Sequence, residues 1–183
     1  MAIATFDELY SDAPFVSDEN MRLSKSLTSK NLFLSHSLAD AKHARWALGI
    51  LEQQGARVYL DIRDASLGSM SVTDIASRLR SVIRECKRLV TLVTENTQTS
   101  RWIPWEMGLA DAVASEERVA LFPLRSSSHA DQLWARQEYF GLYARIEREY
   151  TNTESRYKYV VHLPRGGTCS LSDWLSRSRP LTR

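Results

Sequence analysis

The chain has 183 residues, 43% of them hydrophobic and 25% charged, with a formal net charge of +2. That length fits one domain able to bury a sizeable core, and the composition excludes a disordered or fibrous chain. The near-neutral balance gives no reason to expect a nucleic-acid partner, and two distant cysteines, Cys86 and Cys169, exclude a disulfide framework and show no metal-ligand spacing.

Residues 1–30 are polar with scattered apolar positions such as Phe6, Leu9 and Leu27, which predicts a polar arm or short helices laid against the domain. Its first residues carry acids where a signal peptide needs a basic region, and no apolar run approaches membrane-spanning length. A cytosolic, reduced setting without a membrane partner is therefore expected. From Asn31 the pattern changes. Leu32 to Leu34 reads as a short strand, and Asp40 to Gln54 as a helix with Ala44, Ala47, Leu48 and Leu51 inward, ended by Gly55. ARVYLD is a second strand ending at Asp61, and a loop holding Gly68 leads to a helix with Val72, Ile75, Ala76, Leu79, Val82 and Ile83 at helical spacing. Cys86 continues that apolar face as a small hydrophobe. RLVTLVT is a third strand, VALFPL a fourth and KYVVHLP a fifth. Between the last two lies a variable stretch, residues 125–157, with a short helix expected around Ala130 to Glu138. LSDWLSRS forms a closing helix, and residues 179–183 a basic tail.

The stretch SRWIPWEMGLADAVA stands out. Ser100 is placed to cap its helix, with Pro104 tolerated in the first turn. At about 100° per residue, Trp102, Ile103, Trp105, Leu109, Ala110 and Val113 cover one broad apolar arc, and Glu106 lands near its middle. A carboxylate there must be paired, protonated or facing a cleft, since an unpaired buried charge is very costly. The strand–helix alternation predicts a flavodoxin-like α/β fold, a five-stranded parallel sheet with helices on both faces. Such folds bind ligands beyond the C-terminal strand ends. Ser35, His36 and Ser37, then Asp61, then the segment leading to Trp102 and Glu106 all converge on that rim.

In that order and spacing, residues 31–178 resemble the TIR (Toll/interleukin-1 receptor) domain. LFLSHSLAD is similar to its first-strand box and GARVYLD to its second strand with a terminal Asp. Asp64, Leu67 and Gly68 resemble the BB loop, and Trp102-x-x-x-Glu106 matches the motif of enzymatically active bacterial TIR domains. The resemblance extends to the TIR subunit of Thoeris-type phage-defence systems. It implies an enzyme that cleaves the nicotinamide glycosidic bond of NAD, with Glu106 catalytic and NAD as substrate, not cofactor. It also implies self-association through TIR surfaces, a phage-derived activator, and a separate effector reached by a diffusible nucleotide.

The chemistry suits one carboxylate. Nicotinamide leaves its pyridinium as a neutral base and needs no general acid, whereas the ribose becomes cationic, as in glycoside hydrolysis. A carboxylate beside the ribose stabilises that cation, more strongly when partly buried. Trp102, one turn earlier, either packs on the nicotinamide and shields the glutamate or is a core tryptophan. His36 and Ser37 are candidates for the adenine or ribose, Asp61 for orienting its loop, and Arg63 for a phosphate; each has a plain structural alternative. Asp40 is expected to cap or neutralise its helix N-terminus. No metal site is expected. Two other readings stand beside the enzyme: a non-catalytic module assembling through residues 62–70, and a nucleoside deoxyribosyltransferase-like enzyme with a similar fold and glutamate. A receiver domain is disfavoured, because no acidic pair follows the first strand and no Asp ends the third.

Overall fold

The structure is a computed structural model that describes residues 3–14, 16–17, 20, 24, 29–60, 71–114, 116–127, 137–152 and 156–176. Strands β2 (Leu32–Ser35), β3 (Val58–Leu60), β4 (Arg88–Val93) and β5 (Val119–Arg125) pair in parallel in the order β3-β2-β4-β5. Consecutive side chains of a strand alternate between faces. Leu32 and Leu34 of β2 join Val90 and Leu92 of β4 in one buried cluster, while Phe33 joins Leu89 and Val93 in another. Strands apolar on both faces are what a sheet covered by helices on both sides demands.

Helix α2 (Ala41–Gln53) covers the first face through Ala44, Ala47, Leu48 and Leu51. Gly55 follows it at φ 94° and donates its amide to the carbonyl of Glu52, the left-handed helix stop expected of a glycine there. Helices α3 (Val72–Glu85) and α4 (Ile103–Ala114) cover the second face. Ser71 caps α3 by accepting the Asp74 amide, and Leu79, Val82, Ile83 and then Cys86 are buried, whereas Val72 is exposed.

The fifth parallel strand is not KYVVHLP. It is β6 (Ala144–Thr151), inside the stretch expected to be variable, and it pairs in parallel with β5. KYVVHLP lies in β7 (Arg156–His162), which runs antiparallel to β6, and the short β8 (Thr168–Ser170) follows antiparallel to β7. The physical reason is the sequence of β6, ARIEREYT: it buries Ala144 and Ile146 on one face but carries Arg145, Glu147 and Glu149 on the other. Its apolar alternation is too short to read as a strand. The helix expected around Ala130 to Glu138 falls mostly outside the described residues; Glu138 itself opens a 3-10 turn, Glu138–Leu142. The closing helix is α5 (Leu171–Ser176), with Leu171 and Trp174 buried. No helix among the described residues is long and apolar enough to cross a membrane.

The N-terminal residues lie against the domain. β1 (Ala4–Thr5) pairs in parallel with the end of β5, and α1 (Phe6–Asp12) starts at a capping box in which Thr5 and Glu8 satisfy each other's backbone amides. The Phe6 ring stacks on His43 of α2 at 3.7 Å between centroids. Arg148 of β6 then forks onto Asp12 (2.6 and 3.0 Å) and donates to Glu8 (3.0 Å).

Candidate active site

Two strand ends and one helix build the site. β4 ends at Val93, and Thr94 opens a 3-10 turn, Glu95–Thr99, with its hydroxyl accepting the Asn96 amide. Ser100 accepts the Ile103 amide at 3.3 Å, as its position before α4 predicts, and Glu106 donates its own amide to the Trp102 carbonyl. Glu106 therefore occupies the first turn of α4, where the helix dipole favours a negative side chain.

The buried stripe of α4 is Ile103, Glu106, Met107 and Ala110. It is turned from the expected arc: Met107 lies inside it, Trp102, Trp105 and Leu109 sit half-buried at its edge, and Val113 is exposed. Glu106 stays within it and is fully buried, 0% exposed. Ser35, last residue of β2 and 71 positions away in sequence, donates its hydroxyl to Glu106 Oε2 at 2.5 Å. The two carriers of this contact are the first-strand box and the Trp-x-x-x-Glu helix.

Of the two roles expected of Asp40 at the N-terminus of α2, the side-chain cap is absent. Asp40 is fully buried and instead accepts the Thr94 hydroxyl at 2.6 Å and the Asn96 side-chain amide at 2.7 Å. The loop after β2 is thereby tied to the loop after β4, which fixes the two strand ends that flank Glu106. Thr94 and Asn96 were missed in the sequence, although the polar run TENTQTS directly after the third strand was their visible signal.

His36, adjacent to Ser35, is buried at 5% exposure, and Ser37 is half-buried. Trp102 packs edge-to-face on Trp105 at 5.6 Å, and Arg80 of α3 lies over the Trp105 ring. Trp105 thus contributes to the contact between α3 and α4, and Trp102 packs on it. Asp61 and Arg63, together with the whole of residues 61–70, lie outside the described residues. Two open clefts, of about 390 and 360 Å³, lie elsewhere: one by Ile50 and Tyr159 on the opposite sheet face, the other by Asn31 and Lys87 at the N-terminal strand ends.

Among the described residues one cluster has metal-ligand chemistry, Glu147, Glu149 and His162 across β6 and β7. Arg145 donates to Glu147 at 3.1 Å, and His162 lies 2.7 Å from Glu149.

A doubly wound α/β sheet with a buried acid at its C-terminal rim narrows the chain to a small class of folds, and sequence comparison supplies the family. The TIR domain family model matches residues 32–155, and the chain belongs to that family. It is also similar to a protein of Bacillus cereus (strain MSX-D12) named "Probable 3' cyclic ADP-D-ribose synthase ThsB'", 31% identical over 150 residues. The match covers 81% of this chain and 76% of that protein.

Proposed function

We propose that this chain is an enzyme that breaks the nicotinamide–ribose bond of NAD and closes the remaining ADP-ribosyl group into a cyclic nucleotide that signals in phage defence. The observation that carries the reading is Glu106, a fully buried carboxylate in the Trp-x-x-x-Glu motif, held by a hydroxyl at the ligand-binding rim of the sheet. The name of the Bacillus relative supports the cyclic product.

Nicotinamide departs with the electron pair of the broken C–N bond, and the positive charge passes to the ribose. Glu106 faces that charge and stabilises it, strongly because few water dipoles compete. An adenine nitrogen or a ribose hydroxyl then closes the ring and releases any proton to solvent; water in its place gives linear ADP-ribose. In this reading His36 and Ser37 contact the nucleoside, Asp61 orients its loop at the substrate, Arg63 contacts a phosphate, and Trp102 shields the glutamate. NAD is the substrate, no further cofactor takes part, and the product reaches a separate effector. Copies of the chain self-associate, and a phage-derived component triggers them.

The full burial of Glu106 also favours a second reading, a module that assembles without turnover. Mass spectrometry of NAD incubations, with and without phage lysate, separates the two. The enzyme reading expects nicotinamide release with a cyclic ADP-ribose product. In Glu106→Gln that release should fall about 100-fold or more while the fold is kept, because the amide preserves shape and removes the charge. Wild-type turnover in Glu106→Gln sinks the assignment, and NAD left intact under every condition favours the assembly module.

A further inference from the structure

We infer that Ser35 is the positioning residue of Glu106: its hydroxyl clamps Oε2 and so orients the carboxylate that meets the ribose. This inference rests on the NAD-cleaving reading and assigns a second side chain to that site.

The run LFLS supplies the first argument. Strands of a parallel sheet covered on both faces are apolar nearly throughout, and β2 obeys this from Leu32 to Leu34. Its last residue is a serine at 1% exposure, and it breaks the run directly beneath Glu106. A buried hydroxyl left without a partner costs stability, whereas one donated to a carboxylate gives a strong, charge-assisted bond. The 2.5 Å separation lies within the range of O–H···O⁻ bonds.

Rigidity supplies the second. β2 is paired with β3 over Leu32–Leu34 and with β4 up to Ser35 itself, whose partner is Thr91, so the serine oxygen sits on a backbone held by the sheet. A glutamate has three side-chain torsions, and a fixed donor on one oxygen removes much of that freedom before substrate arrives.

An internal control lies next door. Thr91 of β4 is the register partner of Ser35 and, by strand alternation with Leu89 and Val93, points to the same face. It is fully buried, and its hydroxyl makes no hydrogen bond among the described residues. Two adjacent hydroxyls therefore face α4, and Ser35 is the one that donates to Glu106.

The test is a carboxyl-carbon NMR titration of protein labelled at glutamate side chains, with Glu106 assigned from the signal lost in Glu106→Gln. In Ser35→Ala the Glu106 midpoint should rise by about one to two pH units, the size expected for one lost hydrogen bond to a charge. The acidic limb of kcat/KM for NAD should move with it, and kcat should fall about 10-fold with KM within about twofold. Ser35→Thr, which keeps the hydroxyl, should restore both, and Thr91→Val should leave the midpoint in place. If Ser35→Ala does not fold, Ser35→Cys replaces it; its weaker donor should give a smaller upward shift. An unmoved midpoint in the variant tested, or an equal shift in Thr91→Val, overturns the inference. Because the titration needs no substrate, an inert wild-type protein would defeat the NAD reading and still leave the Ser35–Glu106 contact measured.

Discussion

Cys86 and Glu106 are both buried ionisable groups, and the fold treats them in opposite ways. Glu106 receives a hydroxyl and a helix N-terminus, whereas Cys86 lies among Leu79, Val82 and Ile83, where burial pushes its thiol up to about 12. The sign of the consequence is fixed. Between about pH 9 and 12 the unfolded chain loses the thiol proton and the folded chain keeps it, so stability falls as pH rises through that window. Tyr159, buried and donating to Asp12, is raised as well and adds to the fall above pH 10. Urea melts at pH 8, 9 and 10 should show this decline, with a shallower slope in Cys86→Ala; identical slopes would contradict the assignment. At this scale Glu106 was legible in the sequence because helical periodicity places a charge among apolar side chains. Ser35 was placed at the same rim, but its contact with Glu106 was not legible, because it depends on the pairing of β2 beside β4, which periodicity does not encode. The same holds for Asp40: its position before a helix suggested a cap, and tertiary contacts with Thr94 and Asn96 took precedence.

Among the elements, α1 depends most on contacts distant in sequence. Seven residues are too few for a stable helix on their own, so packing must supply the order. It does so in two places. A Cβ on Gly49 of α2 would fall 2.7 Å from the Pro14 carbonyl oxygen, so the close approach of α2 to the chain after α1 requires a glycine there. On the other side Arg148, with 10% of its side chain exposed, holds Asp12 and Glu8 and lies over the Tyr157 ring at 3.5 Å. Asp12 and Glu8 keep partial access to water, which screens the pair and lowers its worth. Arg148→Met should cost about 1–3 kcal/mol, and Gly49→Ala a similar amount through backbone displacement. In both, hydrogen exchange should accelerate first in Phe6–Asp12; protection of α1 equal to wild type would show that neither contact holds it. The strands and helices of residues 32–125 were readable because each carries its own apolar period. A short helix laid against the domain was expected near α1 without its bounds, and β6 was not read at all, since its face opposite Ala144 and Ile146 carries Arg145, Glu147 and Glu149.

For the whole molecule, the burial of Glu106 sets a condition on activity. Under the proposed function Glu106 must meet the ribose, which a side chain with no exposed surface cannot do, so in that reading this conformation is a resting one. Turnover requires the rim around β2 and α4 to open or to be remodelled. Two large apolar side chains stand exposed along that rim, Leu38 just after β2 at 58% and Val72 at the head of α3 at 71%. Contact between copies would cover them, and the energy of covering such side chains, about 1.5–3 kcal/mol each, is of the size that shifts a population by tenfold or more. NAD turnover per subunit should therefore rise with protein concentration, in step with the oligomer fraction seen by light scattering. Val72→Glu should shift both curves to higher concentration, since a charge in the contact opposes burial, yet leave the melting temperature of the dilute protein near wild type. A steady rate per subunit from nanomolar to micromolar protein, with monomer throughout, would sink the idea. So would a Val72→Glu protein that assembles and turns over NAD as the wild type does, because the exposed rim would then have no part in waking the enzyme.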